Sequence, residues 1–458
     1  MQHCPGLSLK RHIQSTFRKV LSDAGYKLEK RDMKKSIYIL FFILSAIFAF
    51  QSFPVNAENR FPKPEFEQGH IQPETITPSP RLLLLEYLDV AVLITALSLI
   101  SYFILKKRSR KLVFWTSVFS VLYFGFYREG CVCSIGAIQN VTLALFKDDY
   151  HIPLTAFLFF IIPLIYTLLF GRTFCAGICP LGALQDIVGL KPMPIEAWLE
   201  KVLGIFPFIY LGLAVLFAAT GTDFVICRYD PFVGFFRLDA SFTMFMIGGL
   251  FLIAGVFIAR PYCRFLCPYG ALLNIISRFS FKHMTITPET CINCRLCENA
   301  CPYGAINMPV QLKEKEKTET VVRRYILLSI MVPIFIFTGG FLASNFSSGF
   351  AHVNPKVKLA KELKNNTNYG MGEKEALEIT AFRSSGQSMD ELNLEVAKIE
   401  KEFYLGSWIL GGFTGLVFGL MLISLTVFKY HPDYSPNKAT CHSCARCMEF
   451  CPVKPGVL

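Results

Sequence analysis

The chain has 458 residues, of which 53% are apolar, 14% aromatic and only 17% charged, against about 25% charged in an ordinary soluble domain; lipid, not water, is its expected solvent. The formal charge of +12 raises nucleic acid as a partner, but the Lys and Arg residues lie beside the apolar segments, so membrane topology accounts for them and nucleic acid drops out. Sixteen cysteines without a small secreted frame argue against a disulfide scaffold, and twelve of them fall in repeated spacings that end in Cys-Pro, which makes metal ligation the default reading.

Residues 36–50 are apolar but shorter than the roughly 20 residues a spanning helix takes. Met33-Lys34-Lys35 before them and Val55-Asn56-Ala57 ahead of Glu58 give the pattern of a signal peptide. Residues 1–57 are therefore read as a basic tail and leader, with translation starting at Met33; the alternative is a cytoplasmic tail ahead of an uncleaved anchor. Residues 58–81, rich in Pro and Glu, are expected outside the membrane.

Seven apolar segments follow, at roughly 82–105, 112–130, 152–170, 204–221, 241–259, 325–343 and 404–428. The basic stretches at Lys106 to Lys111, Arg172, Arg260 to Lys282, Arg323-Arg324 and Lys429 all fall inside if the first span runs inward, as the positive-inside rule requires. The expected fold is an all-α polytopic membrane helix bundle of about seven spans, in a bacterial inner membrane, with a small ferredoxin-like α+β unit on the cytoplasmic side. Its parts are a five-span domain (82–282), a first ferredoxin half (283–324), the sixth span (325–343), an extracytoplasmic helical cap (344–403), the seventh span (404–428) and a second ferredoxin half (429–458).

Cys291-x2-Cys294-x2-Cys297-x3-Cys301-Pro302 is the bacterial ferredoxin run, and Cys441-x2-Cys444-x2-Cys447-x3-Cys451-Pro452 repeats it. Three thiolates at this spacing wrap one 4Fe-4S cluster, and in two-cluster ferredoxins the fourth Cys ligates the other one. Cys301 is thus expected to complete the cluster begun at Cys441, and Cys451 the one begun at Cys291. The alternative is a pair of zinc sites, which seldom carry the fourth Cys-Pro.

A second repeat, Arg-x-x-Cys-x-x-x-Cys-Pro-x-Gly-Ala-Leu, occurs at Cys175/Cys179 and at Cys263/Cys267, each after an inward-running span. Four cysteines then meet at the cytoplasmic interface. Two readings stand level: a further cluster or the docking surface of the ferredoxin unit, or Cys-Pro pairs that end helices and pack as small hydrophobes. A degenerate inverted copy at Cys131 and Cys133, with Cys227 and Asp230 near a Pro and a Gly, is expected on the outer face. An outer redox centre, a disulfide and a decayed repeat compete there.

Glu86 and Asp89, one turn apart, are candidates for proton handling, with an interfacial position open to water as the alternative. His151, His352 and His442 are read as solvated loop residues, and paired axial ligands for a haem are not seen within the spans.

The seven-span layout, the paired Cys-x3-Cys-Pro motifs and the two ferredoxin runs resemble the NosR/NirI family of membrane polyferredoxins, and more loosely the NapH-type quinol dehydrogenase subunits. The resemblance covers residues 82–458. It implies ligand roles for Cys291, Cys294, Cys297, Cys301, Cys441, Cys444, Cys447 and Cys451 in two 4Fe-4S clusters. It also implies electron transfer between the quinol pool or a cytoplasmic ferredoxin-type donor and an exported redox partner, such as a nitrous oxide reductase system. NosR-type proteins usually carry an extracytoplasmic flavin-binding domain before the membrane part; residues 58–80 occupy that place here, and Ser385-Gly386-Gln387-Ser388 matches the flavin-attachment motif poorly. A separate flavoprotein, cytochrome or reductase is therefore the expected partner. The competing function is a redox sensor or a maturation factor for an exported metalloenzyme.

Overall fold

The computed structural model describes residues 81–453 except 131–132, 190–192, 194, 239–240, 287–290, 310–317, 369–378, 380–381, 383–387 and 427–432. The leader, the start at Met33, nearly all of the 58–81 segment, Cys131 and most of the Ser385–Ser388 stretch lie outside the described residues.

Each of the seven apolar segments is helical. Leu83–Tyr102 continues as a π-helical turn, Phe103–Lys107, and Arg110–Ser120 continues as another, Val121–Tyr127. The others are Leu154–Phe170, Phe206–Ala219, Phe242–Phe257, Thr318–Ser344 and Met389–Thr426. Four runs are long and apolar enough to cross a membrane: Leu83–Lys107, Trp198–Ala219, Val322–Ser344 and Met389–Ser424. The bent pair Pro231–Arg237 and Phe242–Phe257 makes a fifth if it counts as one span. Leu154–Phe170 stops after 17 residues, where Gly171 takes φ +75°, and the Arg110–Tyr127 run opens on two charged residues.

Thr318–Ser344 and Met389–Thr426 pack against each other along small residues. A Cβ at Gly411 would strike the Gly339 carbonyl, so glycine permits a backbone approach that membrane helices use in place of a hydrophobic drive. The second helix has 38 residues, about 57 Å at 1.5 Å per residue, well beyond the hydrocarbon thickness. Its charged first half, from Met389 to Phe403, is the second helical pattern of the expected cap, here continuous with the last span. Leu392 packs there with Leu363, Ile379 and Phe382.

The two cysteine runs meet although the helical hairpin separates them in sequence. Strand β1 (Ile306–Asn307) pairs antiparallel with β2 (Ser435–Pro436), Ile306 opposite Pro436 and Asn307 opposite Ser435. Asn437 N–H donates to the Ala305 carbonyl at 2.8 Å, and the short helices Leu296–Ala300 and Arg446–Phe450 pack on one another. Below them sit four short helices, Thr173–Gly177, Pro180–Val188, Pro261–Phe265 and Pro268–Ser277. Around these the core is closed by Ile100, Ile104, Val113, Ala176, Ala183 and Leu273.

Candidate cofactor and metal centres

The two ferredoxin runs adopt the same local backbone. Asn293 and Arg295 have φ of 51° and 61°, and Ser443 and Ala445 have 52° and 60°. A left-handed residue on each side of the second cysteine curls the loop, and successive N–H groups in such a curl form a concavity that accepts anions, Fe–S groups among them. Ser443 N–H already donates to Cys441 Sγ at 3.4 Å.

The sulfurs assemble across the two runs. Cys291, Cys294 and Cys297 line one pocket together with Cys451. Cys301 packs with Cys441 and Cys444 around Tyr303. The first set is the more open, with Cys294 exposed, whereas Cys444 and Cys447 are buried. Burial pushes the Cys297 thiol up to about 11 and that of Cys441 up to about 12, so cluster ligation there displaces protons.

The second set lies against the short-helix layer and is ringed by cations. Asp186 is the hub: its carboxylate takes Arg446 Nη2 at 3.2 Å, Arg260 Nη2 at 3.4 Å and Arg110 Nη2 in a close ion pair. Burial opposes its charge, yet Arg260, Arg110 and Arg446 outweigh that and hold the carboxyl at about 2. Arg110 also donates to the Cys444 carbonyl at 3.1 Å, Arg172 to the Ala439 carbonyl at 3.0 Å, and Arg264 to the Tyr303 carbonyl at 2.9 Å. Several buried donors here have no partner: Arg172 Nε, Arg260 Nε, Arg264 Nη1, Tyr303 OH and His442 Nδ1. Orphaned donors and guanidinium groups around a thiol-lined loop fit an anionic cluster. His442 is 3% exposed and stacks on Tyr303 with ring centroids 4.6 Å apart, so it is not the solvated loop residue expected. Burial and the neighbouring arginines push it well below its ordinary range, to neutral.

The Cys-x3-Cys-Pro repeats form a reciprocal pair. Each second cysteine, Cys179 and Cys267, stands at the N-cap of a helix whose first residue is Pro, where Pro is pre-organised. Cys267 Sγ accepts from Gly270 N–H at 3.3 Å. Each repeat's arginine reaches the other's turn: a Cβ at Gly182 would lie 3.4 Å from Arg260 Nη1, and one at Gly270 would lie 3.5 Å from Arg172 Nη2. Arg260 also donates to the Cys175 carbonyl and, at 2.9 Å, to that of Ala176. Gln185 Nε2 donates to Cys263 Sγ at 3.3 Å. Burial first, and then the neighbouring thiols, push Cys179 and Cys267 well above the ordinary thiol range. The helix-ending role and the gathering of four sulfurs therefore coexist.

Cys133 and Cys227 share a cavity of about 300 Å³ with Glu86, Asp89, Arg128 and Asp230. Cys133 also lines a small apolar cavity with Cys179, so a cysteine of the expected outer set and one of the expected inner set border one space. Asp89 is 1% exposed and held by Arg81 and Arg128, each at 2.9 Å, and by Tyr123 at 2.8 Å. It is a buried ion-pair centre rather than an interfacial group open to water. Glu86 is half-buried and accepts from Thr155 at 3.1 Å. Sequence reasoning missed Asp186, Gln185 and the arginine ring; the one visible signal was an Arg three residues before each Cys-x3-Cys-Pro.

Residues 152–206 and 240–286, which contain both Cys-x3-Cys-Pro repeats, match a family described as a 4Fe-4S binding domain, and residues 284–307 match another of that description. An uncharacterized protein of Methanocaldococcus jannaschii is 29% identical over 46% of this chain and 87% of its own length. The putative electron transport protein YccM of Escherichia coli is 30% identical over 37% of this chain, and protein NirI of Paracoccus denitrificans 28% over 44%. These matches span about half of YccM and about a third of NirI. No solved structure matches. The chain has helices long and apolar enough to cross a membrane and matches to 4Fe-4S binding domains over both Cys-x3-Cys-Pro repeats and the first ferredoxin run, and it is similar to proteins of the NosR/NirI type.

Proposed function

We propose that the chain conducts electrons between a quinol or ferredoxin-type donor and an exported redox partner, through two 4Fe-4S clusters on the cytoplasmic side of a bundle of seven membrane-embedded helices and a third iron–sulfur centre beneath them. The observation that carries this reading is the shared pocket of Cys291, Cys294, Cys297 and Cys451, since only a cluster that draws ligands from both runs needs them interleaved. Cys441, Cys444, Cys447 and Cys301 hold the second cluster, and Cys175, Cys179, Cys263 and Cys267 the third.

Among the described residues no three His, Cys, Asp or Glu side chains converge as one metal ion requires. Bound clusters supply one-electron redox chemistry. The burial of the sulfurs supports an order for them: Cys294 is exposed, Cys444 and Cys447 of the second set are buried, and the third set lies among the short helices. The arginines and orphaned donors around the second set stabilise negative charge, and buried donors to sulfur raise the potential of the centre they face.

Anaerobically purified protein is expected to contain about twelve iron and twelve labile sulfur atoms per chain, falling to about eight in a Cys179→Ala/Cys267→Ala variant. Stoichiometric zinc without labile sulfide would end the reading. So would unchanged electron delivery in membranes carrying Cys294→Ala.

A further inference from the structure

We propose that Cys133 and Cys227 form a dithiol/disulfide redox couple that serves a disulfide-bearing substrate entering the cavity they share. The proposal rests on the electron-conducting reading for its reductant, and on four observations for its place.

Both sulfurs border a cavity of about 300 Å³. A methyl group on Gly136 would lie 3.0 Å from Cys227 Sγ and 4.0 Å from Cys133 Cβ. Glycine at that position therefore leaves room for Cys227 Sγ beside Cys133. Their accessibility differs: Cys227 is exposed and Cys133 is partly covered, the asymmetry of an attacking and a resolving thiol. Of the two thiols, Cys133 also borders the apolar cavity that holds Cys179, together with Gly130 and Phe159, so it stands between the third iron–sulfur site and the opening.

The Asp230 carboxylate nearby is already engaged. Asp230 Oδ1 accepts from Phe232 N–H at 2.8 Å and Val233 N–H at 3.4 Å, and Oδ2 accepts from Tyr262 OH at 3.3 Å. Among the described residues two thiols remain, which suits a dithiol better than a cluster.

Reduction breaks the Cys133–Cys227 S–S bond with two electrons, delivered singly by a reductant of the iron–sulfur class, and each sulfur takes one proton from water in the cavity. Discharge is ordinary exchange. Cys227 sulfur attacks one sulfur of the substrate disulfide and releases the first thiol. Cys133 then attacks Cys227 in the mixed disulfide, releasing the second thiol and re-forming the bridge.

The test is differential alkylation with peptide mapping on the full-length, cluster-loaded protein, after mild oxidation with diamide and after dithionite. Cys133 and Cys227 are expected to be protected together in the oxidised sample and labelled together in the reduced one. Cys133→Ser should leave Cys227 labelled in both, while Cys131→Ser should preserve the bridge. With glutathione disulfide as probe, the reduced protein should form a mixed disulfide at Cys227 that accumulates in Cys133→Ser. Labelling of Cys227 in both states of the wild type, or loss of the bridge in Cys131→Ser, overturns the proposal. Loss of iron and sulfide in Cys133→Ser/Cys227→Ser, with the fold retained by size exclusion, overturns it in favour of cluster ligation. Zinc in place of iron would instead remove the conducting reading and leave the thiol result standing on its own.

Discussion

Asp186 Oδ1 accepts a hydrogen bond from Arg446 Nη2 at 3.2 Å across 260 residues of sequence. One partner lies on a short helix after a Cys-x3-Cys-Pro turn, the other inside the C-terminal cysteine run. With Arg110 and Arg260 on the same carboxylate, the pair ties the cluster loops to the helical layer below.

Asp186→Asn keeps the shape and removes the charge, leaving three guanidinium groups without their common anion. Breaking one side of a buried charge network costs about 3 to 5 kcal/mol. The variant is expected to shed the second cluster faster on dilution into chelator, followed by the decay of its visible absorbance. Equal decay in both proteins would show that the hub does not secure the loops.

The same carboxyl gives a pH signature. Its pKa in the folded chain, about 2, lies below the ordinary carboxylate value of 3.8, so its contribution is complete above that value and is lost as pH falls towards 2. The contribution is on the order of 2 kcal/mol. The difference in thermal midpoint between wild type and Asp186→Asn should therefore stay level from pH 7 to about 5 and narrow below about 4. A difference that changes between pH 7 and 6 would point to a histidine instead.

Crossed ligation makes a cycle. Cys301→Ala and Cys444→Ala should each remove the same cluster, about four iron atoms, and their combination should remove no more. Cys301→Ala with Cys297→Ala should remove about eight. Iron analysis with low-temperature EPR distinguishes the patterns; additive loss in the first pair would mean uncrossed sites.

Ala445 is fully buried with φ of 60°, a conformation that costs a residue with a side chain about 1 kcal/mol relative to glycine. Ala445→Gly should hold its cluster at least as well as the wild type. Ala445→Val adds a branched side chain to a closed loop in a disfavoured backbone and should lose the second cluster. Cluster retention during mild heating reads both.

Much of this was legible in the sequence because covalent spacing carries it. Cys291 to Cys301 and Cys441 to Cys451 stand out by intervals of three and a terminal Cys-Pro, and their meeting is what an exchange of ligands between such runs would require. The apolar segments were visible for the same local reason. What escaped depends on chain reversal. Cys133 and Cys179 were set apart by counting whole spans, but short helices that turn back bring them to one cavity. His442 reads as a solvated loop residue because it lies outside the apolar spans; in space it packs against Tyr303. Asp186 carries no motif at all, since its meaning comes from three arginines at three distant positions.

The β1–β2 ladder joins chain on either side of the long helical hairpin. During synthesis the first cysteine run therefore leaves the ribosome well before its complement, and it must wait with open coordination while two further helices enter the lipid. On the proposed crossed ligation, cluster loading becomes a late checkpoint: a chain whose hairpin fails to insert would not bring Cys451 to Cys291, and it would stay apo and open to proteolysis.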